Sequence, residues 1–297
     1  MEVTSNRSHA TSESGNWFSQ RLGCSQMDAT VPDEQAHNLK DDRLMERSGI
    51  FAALFATLLL SAVLPALESG TRGQGWVQAE TGIAVSGYND VRSPGTTGTL
   101  FSLSEELEAD ATAFVRLRLG WTFNEKHTIT LLAAPLQFNS AGALDRELHY
   151  EGTIFPAGTA LKGSYRFDSY RITWRRALRG SDRFSWGLGL TGKIRSAAIS
   201  VEGDGQFAEK TDLGFVPLFN FAFAWKADDR LTVIFEGDAA AAPQGRAEDV
   251  LLGIRYAVND RFEAYGGYRL LEGGADVDEV YTFALVHYGA IGIRIHF

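Results

Sequence analysis

The sequence predicts an all-β chain, a transmembrane antiparallel β-barrel of about ten strands. Three observations carry that prediction. After Gly75 the apolar residues alternate with small or polar ones over many segments, the period of two that marks a strand. No apolar run in that region is long enough for a membrane helix. Short polar connections alternate along the chain with longer ones, as they do when strands run up and down through a membrane.

Composition agrees. The 297 residues include 31 Gly, 19 Phe, 9 Tyr and 6 Trp against 7 Pro and 3 Met. Glycine with aromatics suits strands and membrane interfaces. The mean hydropathy of -0.12 is too low for a bundle of membrane helices. It fits a barrel, where every second strand residue meets lipid. A formal net charge of -9 gives a nucleic acid no electrostatic help. The single cysteine, Cys24, excludes an internal disulfide.

Residues 1–44 are polar, lack apolar periodicity and read as disordered. From Met45 the pattern changes. Arg47 supplies a charged start, Ile50 to Val63 an apolar stretch, and Pro65 with Ala66 a break. That is the layout of a secretory signal peptide over 45–70. Cleavage is placed between Ala66 and Gly75, and translation is read as starting at Met45. The alternative is an uncleaved anchor, since Ser48 to Leu67 could just cross a bilayer. The barrel itself is assigned to 76–297.

The strands follow in order. Val115, Leu117, Leu119, Trp121 and Phe123 alternate with Arg116, Arg118, Gly120 and Thr122. Tyr170, Ile172 and Trp174 alternate with Arg171, Thr173 and Arg175. Trp186, Leu188, Leu190 and Ile194 oppose Gly187, Gly189, Lys193 and Arg195. The clearest case is LGFVPLFNFAFAW, with Phe215, Phe219, Phe221, Phe223 and Trp225 on one face and Gly214, Asn220, Ala222 and Ala224 on the other. Next, Leu231, Val233 and Phe235 oppose Glu236 and Asp238; Leu252, Ile254 and Tyr256 oppose Gly253 and Arg255. Phe262 and Tyr268 then oppose Glu263 and Arg269. Last, Phe283, Leu285, Ile291, Ile293, Ile295 and Phe297 oppose Ala284, Ala290, Gly292, Arg294 and His296. One face is lipid-like throughout; the other mixes glycine with charge.

Four connections are tight and polar, near Asn124, Gly180, Asp228 and Asn259. Five longer ones cover roughly 89–106, 139–163, 203–211, 240–246 and 272–279. Nine connections join ten strands, and an even count puts both ends of the barrel on the short-turn side. The weakly alternating ELHYEGTIFPAGT leaves eight or twelve strands open.

The final residues, YGAIGIRIHF, resemble the C-terminal assembly signal of Gram-negative outer-membrane β-barrels. Gly292, Ile295 and Phe297 fill its pattern, while Ala290 stands where a polar residue is usual. The resemblance covers 76–297 and is to small monomeric barrels, porin-like or like the OmpA transmembrane domain, with no single member singled out. It implies Sec export, insertion into the outer membrane by the barrel assembly machinery, and a setting of lipid and lipopolysaccharide.

The inward face carries Arg116, Arg118, Arg171, Arg175, Lys193, Arg195, Arg255, Arg269 and Arg294, with Glu236, Asp238 and Glu263 among them. Such charges must be paired or wet. Either they interlock and fill a narrow barrel, or they line a small anion-preferring passage. The function expected is structural or porin-like. A lipid A- or phospholipid-modifying enzyme and an adhesin acting through acidic loops are the alternatives. For catalysis the nearest raw materials are His149 with Glu147 or Glu151, and Ser164 or Ser169. No GxSxG, HExxH or P-loop pattern occurs. No cofactor is expected beyond a divalent cation on the loops. Asp276, Asp278 and Glu279 are the candidate ligands, because oxygen donors on a flexible loop suit calcium.

Overall fold

The computed structural model describes residues 75–178 and 180–297. The assignments to 1–44 and to the signal peptide at 45–70 fall outside the described residues. Among the described residues fourteen strands follow one another. They are β1 (Gly75–Arg92), β2 (Phe101–Ser102), β3 (Thr112–Phe123), β4 (His127–Ala134), β5 (Gln137–Gly142), β6 (Leu148–Tyr150) and β7 (Thr153–Phe155). Then come β8 (Leu161–Leu178), β9 (Phe184–Gly203), β10 (Gln206–Lys226), β11 (Leu231–Ala242), β12 (Gly245–Ala257), β13 (Phe262–Val277) and β14 (Val280–His296). All but β6 and β7 belong to one 12-stranded antiparallel sheet, which closes by pairing β14 with β1. Two of the twelve are not separate staves. β4 and β5 both pair with β8 and form one stave broken at Pro135–Leu136, and β2 is a two-residue partner of the upper end of β1. The barrel therefore has ten staves, the number expected from the alternation.

Closure is continuous from end to end. Trp76 faces His296 and Arg92 faces Tyr281, with one register shift between Ser86 and Tyr88. Phe297 finishes the seam: its N–H donates to the Gly75 carbonyl at 2.9 Å, and the Gly75 N–H donates back at 3.1 Å. A closed sheet leaves no unpaired edge, which a bilayer would not tolerate.

The outer face is apolar all round. Phe215 and Phe219 are 70 and 72 % exposed, and Ile172, Leu190, Ile254 and Ile291 are all more than half exposed. A soluble protein does not display an apolar surface that encircles it; this is the lipid-facing belt of a transmembrane barrel.

One end is built of tight turns. At Asn124 and Glu125 both residues take positive φ, 51° and 55°, the geometry that joins adjacent strands without splaying them. The Asp228 carboxylate accepts the N–H groups of Arg230 and Leu231, and the Asn259 side chain accepts those of Arg261 and Phe262.

The opposite end differs from the sequence expectation in detail. The connections at 203–211, 240–246 and 272–279 are not irregular loops. Their strands run on past the apolar belt and close in two-residue turns, such as Asp204–Gly205 with φ of 51° and 71°. The longer excursions are two, between β1 and β3 and between β5 and β8. They hold β2 and the β6–β7 hairpin, which accounts for the weak alternation in ELHYEGTIFPAGT.

Candidate functional site: a charged and capped lumen

Side chains that point inward build three layers. Nearest the long connections lies an apolar cap. Phe101, Leu103, Leu107, Leu148, Tyr150 and Phe155 come from the two long excursions and are buried. They pack in one cluster with inward-facing wall residues, among them Phe114, Ile199, Val201, Leu271 and Tyr288. The cap is therefore seated in the barrel mouth. Polar contacts fasten it. The Tyr150 hydroxyl donates to the Ile199 carbonyl at 2.9 Å. The Thr99 N–H donates to the His149 carbonyl, and the Glu151 N–H to the Ser93 carbonyl. Arg146 binds both Glu106 oxygens and the Leu100 carbonyl. That guanidinium, through its hydrogen bonds, holds the Glu106 carboxyl below its usual 4.5.

Beneath the cap is a charge layer. Asp249 meets Arg269 at 2.6 Å, Arg171 at 2.7 Å and Arg116 at 2.8 Å. Glu80 takes a two-pronged contact from Arg269, both bonds 2.9 Å, and a hydrogen bond from the Tyr265 hydroxyl at 2.7 Å. Asp238 accepts from Arg171, Thr191 and Asn220. Three guanidiniums thus face three carboxylates. Planar Arg–carboxylate pairs of this sort are the strong, directional kind, and side chains buried this deeply are tolerated only when so satisfied. Between this layer and the cap remains a void of about 10 Å³, lined by Phe114, Arg116, Leu136, Arg171, Leu271 and Tyr288, no larger than one water needs.

Toward the tight turns the lumen widens into a chamber of about 260 Å³. Here the balance changes. Arg118, Arg175, Arg255 and Arg294 stand near two carboxylates, Glu236 and Glu263. Arg118 reaches Glu236 at 2.6 Å, and Arg175 donates to the Asn220 carbonyl oxygen at 2.7 Å. Arg294 lies 4.1 Å over the Trp76 ring and donates to Gln78.

The inward-facing residues singled out from sequence all lie on the wall, but in different settings. Lys193 is buried with its ammonium 4.6 Å over the Phe167 ring. Arg195 pairs with Asp212 high on the wall. Glu80 and Asp249, which organise the charge layer, were not among the candidates. Their strand parity carried the signal, since Glu80 shares a face with Gln78 and Asp249 with Arg255.

Elsewhere the candidates are not brought together. His149 and Glu147 lie 3.4 Å apart on the exposed side of the cap. Ser164 bonds to Gln137 and Ser169 to Arg171, each on β8. Asp276 pairs with Tyr281 in the β13–β14 ladder, and Asp278 and Glu279 form the turn. Among the described residues no three His, Cys, Asp or Glu side chains are grouped to hold a metal ion. Gly292 lies against Tyr265, Ile295 faces lipid beside Phe262, and Phe297 packs against Trp121 and Gly75.

No protein-family model matches the chain, and no curated protein does. Solved structures do. Neisserial surface protein A is 16 % identical over 76 % of this chain and 98 % of its own, with a TM-score of 0.34. The outer membrane protease OmpT of Escherichia coli is 11 % identical over 76 and 98 %, at 0.44. The attachment invasion locus protein Ail of Yersinia pestis, solved with a heparin analogue, is 12 % identical over 75 and 99 %, at 0.34.

Proposed function

We propose that the protein is a non-conducting barrel of the Gram-negative outer membrane, exported by the Sec route, inserted by the barrel assembly machinery, and structural in role. It stands as a monomer among lipid and lipopolysaccharide, with the tight turns in the periplasm and the cap outside. One observation carries the reading: the lumen is closed twice in series. A layer in which three guanidiniums are ion-paired with three carboxylates lies under an apolar cap. A solute crossing it would have to part buried ion pairs and then an apolar core, and leaving such charges unpaired costs several kcal/mol.

The outward surface of the cap fits exposure to the medium. The two excursions hold seven carboxylates, from Glu105 to Glu151, against Arg146 as their one Lys or Arg. Liposome swelling tests the reading. Vesicles carrying the folded barrel should shrink and re-swell in small sugars and amino acids at the rate of protein-free vesicles. Rapid, size-dependent swelling would make it a porin instead. Orientation has its own check. An epitope placed at Asp204–Gly205 should be stained on intact cells, and one at Asp229 only after permeabilisation.

A further inference from the structure

We propose that the lumen chamber at the tight-turn end binds a small, doubly charged oxyanion, held by Arg118, Arg175, Arg255 and Arg294. In the layer above, each of the three guanidiniums lies within 2.8 Å of a carboxylate, whereas the chamber has four guanidiniums against two carboxylates. Only the Arg118–Glu236 contact is short. Arg175 stands 3.7 Å from Glu236, Arg255 3.4 Å from Glu263, and Arg294 4.0 Å from Glu263. The other guanidinium contacts go to neutral groups, Asn220 and Gln78, and to the Trp76 ring. An excess of two positive charges between low-dielectric walls focuses a field that draws in counter-ions. The arginines converge on a chamber of about 260 Å³, and their forked donors match a planar or tetrahedral oxyanion in a way a lysine would not. Threonine hydroxyls of Thr128 and Thr130 add neutral donors on the wall.

The charge count also sets the valence. Two negative charges would offset the excess of four guanidiniums over two carboxylates. The chamber has a single mouth only if the cap closes the far end, so to that extent the inference rests on the closed-lumen reading; binding and conductance are nevertheless read in separate experiments.

The test is calorimetric titration of the folded, detergent-solubilised protein with inorganic phosphate at a pH where it is doubly ionised, beside chloride at equal ionic strength. Phosphate should give a saturable one-site isotherm and chloride none. Arg255→Gln should weaken phosphate by about tenfold, the loss of one charge-assisted partner. Glu236→Gln should tighten it, because it removes a competing anion. Arg246→Gln, on the outer surface, should leave it unchanged. Mobility in unheated gels establishes that each variant is folded; if Arg255→Gln does not fold, Glu236→Gln decides. No saturable binding, equal binding of chloride, or affinity unmoved by Glu236→Gln would overturn the proposal.

Discussion

Asp249 forms ion pairs with three arginines that come from three different strands, β3, β8 and β13. It holds the charge layer together more than any other carboxylate. Asp249→Asn keeps the shape and removes the charge, leaving Arg116, Arg171 and Arg269 with Glu80 and Asp238 alone. Breaking a buried ion pair from one side costs about 3–5 kcal/mol. Urea unfolding followed by tryptophan fluorescence should show a loss of that order, while Asp276→Asn in the exposed hairpin should stay within about 0.5 kcal/mol. Gly292 has a packing reason beyond the terminal motif it belongs to. A Cβ there would meet the Tyr265 ring at 2.4 Å, and Tyr265 is the hydroxyl donor to Glu80. At this scale the sequence was half legible. Parity shows that Arg116 or Asp238 points inward, but not which acid meets which base. The partners sit on strands 133 residues apart, as for Arg116 and Asp249, and only the diameter and stagger of the closed barrel bring them face to face.

Among the elements, the β6–β7 hairpin does the most to close the mouth. Leu148, Tyr150 and Phe155 are fully buried on its inner face, while His149 and Ile154 are exposed on the other. The alternation in ELHYEGTIF shows the strands; that they fold down into the mouth could not be read, because an inward apolar face looks the same whether lipid or a barrel wall covers it. Leu148→Ala should cost about 2–5 kcal/mol of local stability. Hydrogen exchange should then speed up across 99–107 and 148–155 while the belt strands keep their protection. The cap also has an acid-sensitive tie. Because Arg146 holds the Glu106 carboxyl below 4.5, the pair stabilises the cap above that value and is lost as the pH falls through the lower, folded-state value. The contact is largely exposed, so about 0–1 kcal/mol is at stake. Proteolysis within 143–160 should accelerate in the native protein as the pH is taken from neutral to well below the ordinary carboxylate range, and less so in Glu106→Gln, which is already without the charge. Uniform acceleration in both would place the pH response elsewhere.

For the molecule as a whole, the barrel was legible and its contents were not. Ten staves, the lipid-facing parity of residues such as Leu190 and Ile254, and the seam between β1 and β14 all follow from a period of two and from turn chemistry at sites such as Asn124 and Asp228. The strand extensions above the belt were harder to see. Glycines and acids such as Gly203, Asp204 and Glu209 resemble loop composition, yet they lie in or beside a ladder that continues through Ser200 and Glu209. Whether the lumen conducts depends on how completely nine inward bases find partners, and sequence spacing does not determine that. Single-channel recording in a planar bilayer therefore tests the central claim most directly. The folded barrel should insert without stable conductance steps in either anion- or cation-biased salt gradients. Reproducible steps with a fixed unit conductance would show that the charge layer and the cap do not close the lumen, and would contradict the account.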